Sequence, residues 1–150
     1  MLAVIRTFLR RYSIAPLDDE PDEEHGLRLA VALLLLDVAR ADTEITVDER
    51  RVARQLLERF FPVSTDQAQA LVDSAQHAAE HATSLYPFTS LIKRECDLDE
   101  RVRIVEMLWK VSSADGRIDA HEEHLVRKVA DLLYVPHARF IQARLVHTMK

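Results

Sequence analysis

The sequence predicts an all-α protein, and three observations carry that reading. Apolar residues recur at helical spacing through nearly every segment, as they do where one face of a helix turns to a core. Only two glycines and five prolines punctuate 150 residues that are 48% hydrophobic, too little turn chemistry for a strand-rich fold. The third is an internal repeat. Residues 35–61 and 108–134 follow one pattern at a constant offset of 73 residues, from Leu35/Leu108 onward. An apolar run ends in Ala-Asp, an Ile follows, then a Glu, then a second amphipathic run. Val38/Val111, Ala41/Ala114, Asp42/Asp115, Ile45/Ile118, Glu49/Glu122 and Arg54/Arg127 are identical pairs. Such a repeat reads as a duplicated helix–turn–helix hairpin, each copy burying its apolar face on the other. A compact bundle with pseudo-two-fold symmetry is therefore expected.

The elements follow in order. Residues 1–24 form an arm and a linker. Leu2, Ile5, Phe8 and Leu9 share one face of a short amphipathic helix over 2–12. That arm either packs on the body or makes peripheral contact with a membrane surface or a partner. Asp18, Asp19, Glu20, Asp22, Glu23 and Glu24 lie around Pro16 and Pro21 in a solvated acidic stretch. The domain proper spans 25–150 and contains seven main helices. The first covers about 25–41, and its uninterrupted apolar run, 29–36, predicts burial on all sides. Thr46-Val-Asp-Glu49 is a capping box before the second helix, and Ser64-Thr-Asp-Gln67 opens the third. Pro87 marks the start of a short fourth helix. Asp97-Leu-Asp-Glu100 starts a fifth that ends at Ala114, Asp119-Ala-His-Glu122 starts the sixth, and Pro136 suits the first turn of the seventh.

Composition excludes several function classes. A net charge of −5 argues against general nucleic-acid binding, which relies on Lys and Arg to neutralise phosphates. The single cysteine, Cys96, rules out an internal disulfide and fits a reducing compartment. Its acidic neighbours Glu95 and Asp97 should raise its pKa and dull its reactivity. No apolar run approaches the roughly 20 residues of a membrane-spanning helix. The charges of the N-terminal arm follow its apolar residues, the reverse of a secretory signal. A cytoplasmic location is expected.

The two Asp-x-x-Ile-x-x-x-Glu turns are the best site candidates. Asp42 and Asp115 fall at helix C-termini, where the macrodipole disfavours a carboxylate by about 0.3–1 kcal/mol unless something compensates. A divalent metal is one compensation. Asp115, Asp119, Glu122 and Glu123 offer several hard oxygens within one turn, and Asp42 and Glu49 offer fewer in the other. Local hydrogen bonding is the alternative, with Asp115 accepting amide protons, Gly116 supplying positive φ, and Asp119/Glu122 acting as a capping box. The spacing is not that of an EF-hand loop. His77-Ala-Ala-Glu-His81 matches the H-x-x-E-H string of an inverted zincin on a helix. A zinc hydrolase also needs a third ligand from a separate element and a substrate cleft, neither of which is evident in so short a chain. His121 and His124 lie one turn apart beside Glu122 and Glu123, where they face solvent or add nitrogen ligands. Trp109, Met107, Phe60, Phe61, Phe88 and Phe140 are expected in the core. Tyr86-Pro-Phe-Thr-Ser-Leu-Ile either packs inside or lines a groove between helices.

Several of these segments together resemble the tellurite-resistance TerB family: Ala41-Asp42 with Ile45 and Glu49, Leu85-Tyr86-Pro87-Phe88-Thr89, Val105-Glu-Met-Leu-Trp109, and Ala114-Asp-Gly-Arg-Ile-Asp119 followed by Glu122 and His124-Leu-Val-Arg-Lys. The resemblance covers about residues 25–148 and extends to the helical domain that precedes the J-domain in DjlA-type co-chaperones. It implies a compact all-helical bacterial domain with acidic residues proposed to bind a divalent metal, and a role in tellurite or stress resistance. Thr43 stands where the family pattern has Gly, so the first turn departs from it. The expected function is a non-enzymatic binding or adaptor domain with calcium, magnesium or zinc at the turns and a protein partner. A metal-independent interaction or co-chaperone-like module is the alternative, and a zinc-dependent hydrolase on His77, Glu80 and His81 is a third reading.

Overall fold

The computed structural model describes residues 23–39, 45–81, 84–114 and 120–148. Seven α-helices fill these spans: α1 Glu23–Ala39, α2 Val47–Phe60, α3 Thr65–His81, α4 Tyr86–Glu95, α5 Leu98–Ser112, α6 Ala120–Leu132 and α7 His137–Thr148. No strand occurs among the described residues. The fold is all-α, as the apolar spacing predicts. The arm and acidic linker, with the helix expected over 2–12, lie outside the described residues.

α1 is the axis of the bundle. Every side chain from Leu29 to Leu36 is at most 1% exposed, because α2, α3, α4, α5 and α6 all pack against this helix. A helix apolar on every side has nowhere else to go in water. The first helix of one repeat thus lies against α5, the first helix of the other, and α5 also meets α2, so the two hairpins share one core. The remaining helices are one-sided. α3 buries Ala68, Leu71, Val72, Ala75, Ala78 and Ala79, and those small side chains let its backbone approach α1 closely. α7 docks on α5, where the Trp109 and Phe140 ring centroids are 5.6 Å apart.

Local chemistry starts the helices where the sequence places the starts. Thr46 Oγ1 accepts from the Glu49 amide at 3.1 Å while Glu49 Oε1 accepts from the Thr46 amide at 2.8 Å. Ser64 and Gln67 exchange the same pair of bonds, as do Asp97 and Glu100. Each box satisfies two amides that a helix N-terminus leaves without a partner. Pro87 lies in the first turn of α4. Pro136 falls one residue ahead of α7 rather than inside its first turn; its carbonyl accepts from the Phe140 amide at 3.0 Å.

The end of α6 follows a rule that the sequence hides. Tyr134 has a φ of 55°. The Val135 amide donates to the Ala130 carbonyl at 3.0 Å and the Tyr134 amide to Asp131 at 3.1 Å. That is a Schellman ending, normally built on Gly. Arg101 of α5 completes it by donating to the Leu133 carbonyl at 2.6 Å, and Lys93 of α4 stands 3.9 Å from the Tyr134 ring centroid.

Candidate functional site

The acidic turns join α1 to α2 and α5 to α6. Asp42, Asp115 and Asp119 lie outside the described residues, as do Thr43 and Gly116. Glu49 and Glu122, the repeat partners on the first turns of α2 and α6, are both described and both only 5% exposed. Burial of a carboxylate is costly without compensating bonds, so two equal instances at equivalent positions mark these helix starts as specialised. Glu49 turns back on its own N-cap through the Thr46 amide, which realises the capping reading for that residue. Glu123 faces another way: its Oε1 lies 2.7 Å from Arg144 Nη1 of α7. The same guanidinium stands 5.5 Å from the Trp109 ring centroid. The sequence signals none of this, because Glu123 and Arg144 share no element.

The repeat has diverged in its partners. Arg54 pairs with Glu58 within α2 at 3.2 Å, whereas Arg127 sits over the Phe140 ring at 5.8 Å. His121 and His124 are exposed on α6. Among the expected core aromatics, Trp109, Phe61, Phe88 and Phe140 are buried together with Met107. Phe60 is half-buried, with the Arg103 guanidinium 4.9 Å from its ring centroid. It helps to floor a shallow groove of about 190 Å³ with Leu56 and Met107, rimmed by Arg59, Arg103, Glu106 and Lys110.

The Tyr86 segment divides between the two roles weighed for it. Phe88, Thr89, Leu91 and Ile92 face the core, and Thr89 Oγ1 donates back to the Leu85 carbonyl at 3.2 Å. Ser84, Leu85 and Tyr86 instead line a groove of about 360 Å³ with Asp37 of α1 and Leu125, Lys128 and Leu132 of α6. Tyr86 is 62% exposed there, an aromatic with a polar tip at the mouth of a partly apolar cleft.

His77, Glu80 and His81 come together on the outer face of α3. Their donor atoms lie within 4.8 Å of one another, and all three side chains are exposed. Neither groove described above includes them. Cys96 is buried at the C-cap of α4. Burial is the main cause that pushes its thiol up to about 11, and Glu100 and Asp97 add to it. The acidic neighbours Asp97 and Glu95 raise it as expected but stand behind burial, and Glu100 across the α5 start outweighs both.

Taken together, the described residues form an all-helical bundle around α1. Residues 28–145 match the family described as tellurite resistance protein TerB. The chain belongs to that family. No curated protein and no solved structure matches it. No described helix is long and apolar enough to cross a membrane.

Proposed function

We propose that the protein is a non-enzymatic, cytoplasmic TerB-type binding domain of a tellurite or general stress response, which holds a divalent cation at its acidic inter-helix turns and engages a protein partner. Membership of the family supports the biological context. The observation that carries the metal reading is the burial of Glu122 on the first turn after a repeated Asp; its repeat partner Glu49 is equally buried but turns back on the Thr46 amide. Carboxylates held near such a turn supply the oxygens that calcium or magnesium prefers. Of the two turns, the second is the stronger. The sequence has Gly116 in the second turn, a residue that accepts positive φ at no steric cost, where the first turn has Thr43, a β-branched residue that resists it.

Calorimetric titration of calcium, magnesium, manganese and zinc into the wild type, Asp115→Ala and Asp42→Ala tests this. Asp115→Ala should lose more affinity than Asp42→Ala. The wild-type melting temperature should rise with the logarithm of free metal, because the unfolded chain has no assembled site. Equal losses, or a melting temperature indifferent to millimolar calcium and magnesium and micromolar zinc, would leave the turns purely structural.

The groove beside Tyr86 favours the second reading, an interaction module without metal. An exposed tyrosine over Leu85, Leu125 and Leu132 has the character of a protein-contact surface. Under that reading partner capture survives Asp115→Ala and fails with Tyr86→Ala.

A further inference from the structure

We propose that His77, Glu80 and His81 form a surface site for a first-row transition-metal dication of the zinc, nickel and copper group. These residues are the one group of three or more metal-ligating side chains that converges among the described residues. The site is separate from the acidic turns and differs from them in chemistry. Two imidazole nitrogens and one carboxylate oxygen are borderline donors, which suit zinc, nickel and copper and rank copper highest, whereas calcium and magnesium want oxygen alone.

The helix supplies the geometry. Positions i, i+3 and i+4 share one face, with the two imidazoles one turn apart. Their ring centroids are 5.1 Å apart. Tetrahedral zinc with bonds of about 2.0–2.1 Å needs neighbouring donors roughly 3.3 Å apart. Donor atoms already within 4.8 Å reach that spacing by small torsional changes in exposed side chains. The scaffold beneath does not need to move, because Ala75, Ala78 and Ala79 anchor the opposite face of α3 against the bundle. Position adds charge complementarity. His81 is the last residue of α3, so the site sits at the negative end of the helix dipole. Arg50 of α2 pairs with Asp73, four residues before His77. Asp73 neutralises that cation, and Gln76 also accepts from it.

This arrangement binds metal without performing hydrolysis. Three ligands from one exposed helix face leave the remaining coordination positions to water, and the two grooves described above lie elsewhere. The H-x-x-E-H string is here a ligand set, with Glu80 coordinating rather than acting as a base.

The test titrates zinc into the full chain against a chromophoric chelator, with nickel-induced broadening of amide resonances to locate the site. The wild type should take up one equivalent that the His77→Ala/His81→Ala double variant does not. Each single histidine variant should bind at least about tenfold more weakly, since losing a ligand costs more than losing an outer-shell partner. Glu80→Gln should weaken binding by a smaller factor. Millimolar calcium and magnesium should leave in place the zinc equivalent that the double variant lacks, and Asp115→Ala should retain that equivalent. Nickel should broaden resonances centred on residues 77–81. A double variant that titrates like the wild type, or broadening centred on 121–124, would overturn the proposal. A chain whose acidic turns hold no metal would leave it standing.

Discussion

Tyr134 shows how one residue can sit in an unfavourable conformation for the benefit of its neighbours. A φ of 55° costs a non-glycine residue roughly 1 kcal/mol or more, yet the ring offers Lys93 a cation–π partner at 3.9 Å. Because Tyr134 is 68% exposed, that contact is weakened by water and contributes about 0.5–1 kcal/mol. Tyr134→Gly should therefore be close to neutral in urea denaturation, while Tyr134→Ala, which keeps the strain and loses the ring, should be less stable than the glycine variant by about 1 kcal/mol. Equal stabilities for the two variants would mean that the backbone relaxes out of the left-handed region. Cys96 is a second residue-scale case. Its folded pKa is raised from 9.0 to about 11, first by burial. Below pH 9 the thiol is neutral in both states and its contribution to stability is complete. Between pH 9 and 11 the unfolded chain ionises first, so stability falls as pH rises through that window. Cys96→Ala should remove this part of the slope, and the wild-type thiol should react with iodoacetamide only as fast as the chain opens.

The helix is the scale at which the sequence is most readable. Apolar spacing and capping boxes locate α2, α3 and α5 almost to the residue, because both signals are local and their bonds close within three residues. Asp97→Ala and Glu49→Ala should each lower the urea midpoint by the equivalent of about 0.5–2 kcal/mol with the m-value unchanged. A wild-type midpoint in both would mean that the observed boxes contribute nothing beyond water. What the sequence conceals is whatever one element does for another. Arg101 caps α6 from α5 across 32 positions, and Arg144 takes Glu123 from a helix that starts fourteen residues after it. Nothing in a window of a few residues marks either arginine. The candidate site has the same property. Glu49 and Glu122 are legible because they repeat, and His77 to His81 because a helix sets their spacing. The groove at Tyr86 needs α1, α4 and α6 assembled before it exists.

At the scale of the whole molecule, stability is concentrated on α1. The acidic stretch before it has few apolar residues to bury, so a chain that begins at residue 23 should keep its cooperative unfolding and melt within about 2–4 °C of the full chain. Loss of cooperativity would show that the arm belongs to the core. α1 itself is a different matter. Leu35 is fully buried, and five other helices contact the element that carries it. Leu35→Ala removes three carbon atoms where no neighbour can collapse freely, and should cost about 2–5 kcal/mol. Leu145, 52% exposed on α7, provides the control: Leu145→Ala should stay within about 0.5 kcal/mol of wild type. The same logic bears on the hairpin. An isolated chain of residues 23–61 retains α1 and α2 but lacks α3, α4, α5 and α6, which cover most of the α1 surface. It should show little helix by circular dichroism and no cooperative melt, although each of its helices has sound local signals. Should that fragment fold cooperatively alone as a monomer, the repeat would be a stable unit in its own right, and the shared core would be a consequence of duplication rather than a requirement for folding.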